Sequence, residues 1–336
     1  MSGTVPAVYV RSYDGGYEQA GMAVHAGVML VHLDTDFGGD TDDACALVFL
    51  LGQPEVELAG VTTVADRAGR RAGYARYCLD LAGRDGIPVI AGATASMTTL
   101  SIAEPVIDDE RHWPGGLPCR PAPAGAALDL LQRNIERGAT LIAIGPWTNL
   151  ALLEIARPGS LGRAPIVATA GWTGLGDGLP PWGPDMDFNV QWDSRAAEIV
   201  AATADLTLVP LPVTLKAHLR AADLPRLRAS GPLGELLARQ GEAHGHDYRM
   251  TELGRLHEGL PDDLLNFQYD AVACAVALGW PGAVVEQARL DLVREGELVC
   301  FRAGPAGRPR RVLVDLDPDG FAEYWLKAVE AARPPA

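Results

Sequence analysis

Five carboxylates within ten residues, Asp34, Asp36, Asp40, Asp42 and Asp43, separate an apolar run at 28–31 from a second, helix-compatible apolar run at 44–51. That order reads as a strand, a turn containing Gly38 and Gly39, and a helix. Like charges crowded at the mouth of a buried strand repel one another and lose hydration, a cost that a bound cation offsets. The donors are all oxygen, with no Cys or His inside the turn, so the implied ion is hard, Ca²⁺ ahead of Mg²⁺. Helix capping alone would use Asp40 or Thr41 as the cap and Asp42 and Asp43 at the positive end of the helix dipole. Five carboxylates exceed that need.

The remainder of the chain alternates short apolar runs with amphipathic stretches. The pattern predicts strands at 28–33, 57–63, 87–90, 139–144, 165–169, 206–211 and 285–292. It predicts helices at 41–52, 67–82, 123–137, 148–156, 193–203, 232–244, 268–278 and 319–332. Such alternation implies an α/β fold, a mostly parallel open sheet with helices on both faces, where ligands bind at the carboxyl ends of the strands. Residues 1–27 read as an N-terminal extension and 28–336 as one domain. The Gly/Pro-rich piece 171–184 reads as a loop near the site, and the polar segment 241–263 as a mobile lid. On that reading His244 and His246 are solvated surface histidines of the lid.

With 336 residues, 48% of them hydrophobic, the chain can bury a large core. A net charge of −15 disfavours nucleic acid and anionic membrane as partners and suits cations and small neutral substrates. Five scattered cysteines without a paired spacing indicate reduced thiols and a cytoplasmic setting. The first 27 residues do not read as a signal peptide, and no stretch approaches the length of a membrane span.

Two familiar D-x-D patterns fit poorly. A calcium loop counted from Asp34 would have its glycine at Gly39 but Cys45 where the closing Glu belongs. A phosphatase turn, with Asp34 as nucleophile and Mg²⁺ as metal, would not have Gly38 two residues after Asp36. The run from Asp34 to Leu47, Asp-Thr-Asp-Phe-Gly-Gly-Asp-Thr-Asp-Asp-Ala-Cys-Ala-Leu, instead resembles the N-terminal signature of the inosine/uridine-preferring nucleoside hydrolases, in the branch with a longer turn. The likeness continues in order along the chain. Gly60 to Val64 and Ile87 to Gly92 resemble the family's second and third strands, and Gly145 to Ala151 its G-P-L-T-N-L-A. Asp187-Phe188-Asn189 to Asp193 resembles its E/D-F-N-x-x-x-D, and Asp270 falls where the family has H-D-P.

The resemblance implies the nucleoside hydrolase fold and Ca²⁺-dependent hydrolysis of the N-glycosidic bond of a ribonucleoside or modified riboside, as in purine or pyrimidine salvage. It implies Asp36 as a metal ligand and as base on the metal-bound water, Asp43 and Asp270 as further ligands, and the Ile144 backbone carbonyl as another. Asp42, Asp187 and Asn189 would hold the sugar, while Asp34 would orient the turn and Asp40 would have no ligand role. The family also implies a homodimer or homotetramer. Three departures stand out. Tyr269 replaces the His of H-D-P, so either it donates the leaving-group proton or it packs. Asp66-Arg67 stands where the family has Gly-Asn, so Arg67 contacts the substrate or pairs with Asp66, with the ion pair the favoured reading. The 171–184 loop has no sugar-binding Asn. His112, beside Trp113 in a segment resembling the family's H-G-x-x-G-L loop, is expected to line the site. Trp113, Trp172 and Trp182 are each either a stacking platform for the base or a loop anchor. A riboside-binding or regulatory protein that keeps the metal site without turnover is the non-enzymatic alternative.

Overall fold

The central strands follow from short apolar runs that are mostly buried. The computed structural model describes residues 27–103, 110–172 and 179–333. Its strands are β1 (Met29–Thr35), β2 (Val56–Thr63), β3 (Val89–Ala91), β4 (Thr140–Ala143), β5 (Pro165–Thr169), β6 (Asp205–Val209), β7 (His218–Arg220), β8 (Leu264–Phe267), β9 (Ala283–Glu295), β10 (Leu298–Ala303) and β11 (Arg308–Leu316). Nine of them form one sheet in the order β10-β9-β11-β6-β5-β4-β1-β2-β3. From β3 to β6 every neighbouring pair is parallel. β11 joins β6 in parallel, while β9 runs antiparallel to both β10 and β11. β7 and β8 pair separately. The mostly parallel α/β architecture expected from the alternation is therefore the one observed.

The chain winds outward from β1 in both directions, with β2 on one side and β4 on the other. The order of connection reverses at that point, which opens a crevice beyond the carboxyl ends of β1 and β4, the place where such sheets hold ligands. The helix Asp42–Leu51 starts at this crevice and is buried on nearly every side, as a helix of Ala, Leu, Val and Phe must be. The helix Tyr269–Ala277 packs against it and starts at the same place. Two helix N-termini and the ends of the central strands thus meet there.

Two expectations need correction. The segment β9–β11 is a long antiparallel extension of the sheet, where the pattern indicated only a strand at 285–292. Its faces are half-exposed and rich in charge, so the apolar signal is diluted. The region 241–263 contains the end of the helix Pro232–Asp247 and the helix Met250–Leu256, so it is not a loop-like lid. Its glycines are contact points: a Cβ on Gly241 would meet Leu219 at 2.8 Å, and one on Gly245 would meet Leu265 at 2.8 Å. Their spacing of four puts both on the helix face that packs against β7 and β8. Among the described residues, no helix is long and apolar enough to cross a membrane. The extension expected at 1–27 lies, apart from Gly27, outside the described residues, as do 173–178 of the loop before Asp187.

Candidate active site

The end of β1 sets the turn. Asp34 is 0% exposed, and its Oδ1 accepts from Thr62 Oγ1 at 2.5 Å and from Asn149 Nδ2 at 2.8 Å. The same Asn149 amide donates to the Thr63 carbonyl at 3.0 Å, so Asp34 ties β1 to β2 and to the helix Thr148–Ala156. This is the orienting role expected of it. Its Oδ2 is buried with no hydrogen-bond partner, and burial pushes the carboxyl up to about 7.

Beyond Asp34 the carboxylates converge. Oxygens of Asp42, Asp43 and Asp270 lie within 4.8 Å of one another, all three residues buried. Thr35 Oγ1 donates to Asp43 Oδ1, and the Asp43 amide donates to Asp42 Oδ1 at 3.0 Å. Burial, and then repulsion by their neighbours, raises all three carboxyls well above the usual range. Asp36 is half-buried at the opening. Its charge acts on Asp43 and Asp270, and its own carboxyl is raised, first by burial, against the opposing pull of Arg71. The structure thus brings together Asp43 and Asp270, with Asp36 beside them and Asp42 as the third member of the tight group. A buried, mutually repelling, all-oxygen set with an unpartnered carboxylate oxygen behind it suits a hard divalent cation.

The backbone nearby is adapted to this crowding. A Cβ on Gly145 would lie 2.6 Å from the Asp36 amide nitrogen and 2.9 Å from its Oδ1, so no larger residue fits there unless something shifts. The Ile144 carbonyl just before it accepts from Asn189 Nδ2 at 3.0 Å. That Asn189 nitrogen also donates to the Thr169 carbonyl at 3.0 Å, which leaves its carbonyl oxygen as the atom able to face a sugar. Asp187 is buried, caps the short helix Phe188–Gln191 and accepts from the Gly171 amide at 2.8 Å. Burial pushes its carboxyl up to about 7.

The most important residue not anticipated is Arg71. Its side chain is 7% exposed, and it donates from Nε to the Ala65 carbonyl at 3.0 Å and from Nη1 to the carbonyls of Asp36 and Phe37. Asp66 holds the start of the helix Arg70–Leu81 in place by accepting from the Arg71 and Ala72 amides, each at 3.0 Å, and from Thr63 Oγ1 at 2.7 Å. The expected Asp66–Arg67 ion pair does not form, because the carboxylate is taken up by the backbone amides five and six residues further on. Arg67 is exposed.

The aromatic candidates separate. Trp113 stacks on Tyr74 with ring centroids 4.3 Å apart and tilts against Phe37 at 5.8 Å, so it is a core anchor beneath the turn. Trp182 meets Phe267 edge-on at 5.9 Å, in an apolar cluster that also includes Tyr269 and Met250. Trp172 is half-buried at the end of a described stretch. His112 is buried, with Nε2 3.2 Å from Asp247. Tyr269 packs against Phe267 at 5.5 Å, and burial together with Asp40, Asp42 and Asp270 raises its phenol well above the ordinary value. That leaves it a hydrogen-bond donor and a poor proton source.

His246 is 82% exposed at its side chain, as expected, but His244 is not. His244 is buried on the inner face of the helix Pro232–Asp247, with Nδ1 3.0 Å from the Leu265 carbonyl and Nε2 3.5 Å from Asp40 Oδ2. Asp40 also accepts from Asn266 Nδ2 and from the Thr41 amide. The only available signal was helical spacing, with His244 between Gly241 and Gly245.

The sequence pattern of the family described as inosine-uridine preferring nucleoside hydrolase matches residues 31–323. A pyrimidine-specific ribonucleoside hydrolase of Salmonella agona is 34% identical over 221 residues, 61% of this chain and 68% of the relative. Among solved structures, a plant nucleoside hydrolase superposes with a TM-score of 0.74 at 22% identity, over 90% of this chain and 99% of that one. A purine-preferring ribonucleoside hydrolase from Gardnerella vaginalis gives 0.74 at 20% identity, over 90% and 98%. The two structural likenesses speak to the fold.

Proposed function

The chain belongs to the inosine-uridine preferring nucleoside hydrolase family, and from that premise we propose that it cleaves a ribonucleoside or modified riboside with Ca²⁺ bound at the Asp turn and Asp36 as the base. Membership makes it an N-glycosidic bond hydrolase. The metal, the base and the substrate contacts are the proposal. The observation that carries it is the convergence of Asp42, Asp43 and Asp270 within 4.8 Å, with Asp36 at the opening.

Breaking the bond between C1′ and the base builds positive charge on the sugar ring, and carboxylates fixed nearby stabilise it. Asp36, Asp43, Asp270 and the Ile144 carbonyl would hold the ion. Bound there, Ca²⁺ would supply the positive charge that helps to orient the substrate and makes a nearby water more acidic. Asp36 takes the proton as the water attacks C1′. Asp42, Asp187 and Asn189 fix the sugar hydroxyls, Asn189 through its carbonyl oxygen. Trp172, His112 and Arg67 remain candidates for contact with the base or sugar rim. The phosphatase alternative has no support in Asp34, which is 0% exposed and holds Thr62 and Asn149. A cytoplasmic homodimer or homotetramer completes the proposal, supported by the family resemblance and the scattered cysteines.

The test is base release from a panel of purine, pyrimidine and modified ribonucleosides, each with Ca²⁺ and with EDTA. Release that EDTA abolishes and Ca²⁺ restores is expected. Release indifferent to EDTA would remove the metal from the proposal, and absence of release from every member would remove the ribonucleoside.

A further inference from the structure

The replacement of the family's H-D-P histidine by Tyr269 raises a chemical question. A nucleoside base leaves poorly as an anion, so a group near the turn must give it a proton. Tyr269 is packed on Phe267. His112 is held by Asp247, His218 by the Leu215 carbonyl at 2.7 Å, and His32 by Thr62 and Asn134 inside the sheet. Among the described residues, His244 is the histidine whose ring reaches a carboxylate of the Asp turn.

Its hydrogen bonds specify its protonation. The Leu265 carbonyl, 3.0 Å from Nδ1, can only accept, so Nδ1 carries a hydrogen. Nε2 faces the Asp40 carboxylate, which also only accepts when ionised. The imidazolium satisfies both partners, and the neutral ring satisfies one. At 3.5 Å the Nε2 proton is held by charge more than by a tight hydrogen bond, and Asp40 Oδ1 is occupied by Asn266 and the Thr41 amide. Tyr248, 56% exposed, stacks on the imidazole at 4.5 Å. Asp40 in turn lies close enough to act electrostatically on Asp36, Asp42 and Asp270. The His244–Asp40 pair is therefore at the rim of the carboxylate cluster, where Asp40 is partly open to solvent.

We propose that His244, held by the Leu265 carbonyl and Asp40, donates the proton that the departing base requires. The assignment rests on the hydrolase reading above. Burial pulls the imidazole toward the neutral form, but Asp40, the Leu265 carbonyl and Asp247 together outweigh it and hold the pKa above the ordinary value. In the reaction, water forms the new C1′–O bond and passes a proton to Asp36. The C1′–N electron pair leaves with the base, and His244 Nε2 protonates it. One nucleoside and one water give ribose and the neutral base, and exchange with solvent restores Asp36 and His244.

The experiment compares wild type with His244→Gln and, separately, Asp40→Asn, on the best-cleaved nucleoside of the panel and on 4-nitrophenyl riboside, all with Ca²⁺. The nitrophenolate leaves without a proton, so it bypasses the donor and reports an intact site. A loss of about 100-fold or more in kcat on the nucleoside is expected for His244→Gln, within the range of general acid catalysis, with the nitrophenyl riboside rate kept within about three-fold. Asp40→Asn should show the same split with a smaller loss. Equal losses on both substrates, or a nucleoside rate within about three-fold of wild type in either variant, overturn the assignment while leaving the hydrolase reading standing. A wild type that cleaves the nitrophenyl riboside but no nucleoside also overturns it. A wild type that cleaves neither substrate overturns the hydrolase reading itself, and His244 with it.

Discussion

Arg71 donates from Nη1 to the Phe37 carbonyl at 3.1 Å, so a guanidinium on the helix after β2 reaches across to the turn after β1 and grips the backbone that carries Asp36. Replacing Arg71 with Met keeps much of its bulk but leaves the carbonyls of Ala65, Asp36 and Phe37 without their donor. A loss of about 2–4 kcal/mol in stability is expected from the unpaired buried carbonyls. kcat should fall about 10–100-fold as Asp36 loses its alignment. Calcium affinity, measured by calorimetric titration, should stay the same or rise, because a competing positive charge has gone. A fall in affinity would mean that Arg71 supports the ion as well as the turn.

Asp36→Asn removes the proposed base while leaving the tight group of Asp42, Asp43 and Asp270 in place. Turnover should fall at least about 1,000-fold, with both the water's proton acceptor and a ligand charge lost. The metal-free variant should melt at or above the wild-type temperature in EDTA, since a carboxylate that repels its neighbours is now neutral. Near-normal turnover would exclude Asp36 as the base.

Gly145→Ala would press a methyl group against Asp36 at 2.6–2.9 Å and against Val64 Cγ1 at 2.8 Å. Overpacking of this kind costs about 1–3 kcal/mol. Activity should drop more than stability, because the displaced atoms belong to Asp36. Thermal melts and base-release rates measured on the same preparation would check this. A variant with full activity would show that the turn gives way at no cost to catalysis.

Asp187 provides a pH signature away from the turn. Its buried carboxyl sits at about 7, above the unfolded value, so the folded state holds a proton that the unfolded chain gives up. The stability it contributes is therefore complete below about pH 4 and is lost as the pH rises toward about 7. Asn cannot ionise, so the melting temperature of Asp187→Asn minus that of wild type, in EDTA, should increase from pH 5 to pH 7. A difference that is flat across that range would place the carboxyl near its ordinary value.

The parallel half of the sheet was legible because its strands are largely buried and so largely apolar; Val31, Leu33 and Val61 are examples. The Asp turn was legible because five of its carboxylates are close together in sequence. Arg71 was not, because the carbonyls it grips at Asp36 and Phe37 are distant in sequence and nothing in the chain between them signals the contact. Arg67 drew attention instead, since it is next to Asp66, yet Asp66 is satisfied by backbone amides. His244 was hidden for a different reason. The polar segment from 241 onward read as a mobile lid, whereas the helix continues to Asp247 and its glycines let it lie close to Leu219 and Leu265. β10 and β11 were missed because charged residues interrupt their apolar runs, as Arg302 does in β10 and Arg308, Arg310 and Arg311 do in β11.

The acidic group is assembled from distant stretches of chain. Asp42 and Asp43 begin the first helix, and Asp270 begins a helix formed from the last quarter of the sequence. A growing polypeptide that has emerged only through β6 has the acidic turn without the helix that completes it. When that helix docks, it brings one more negative charge to a place already crowded with them, so docking in the absence of an ion works against Coulomb repulsion. An ion held there, as proposed, would act on assembly as well as on chemistry. It would favour the folded chain by mass action and hasten the late step in which the two helices meet, so that refolding in Ca²⁺ is expected to outpace refolding in EDTA.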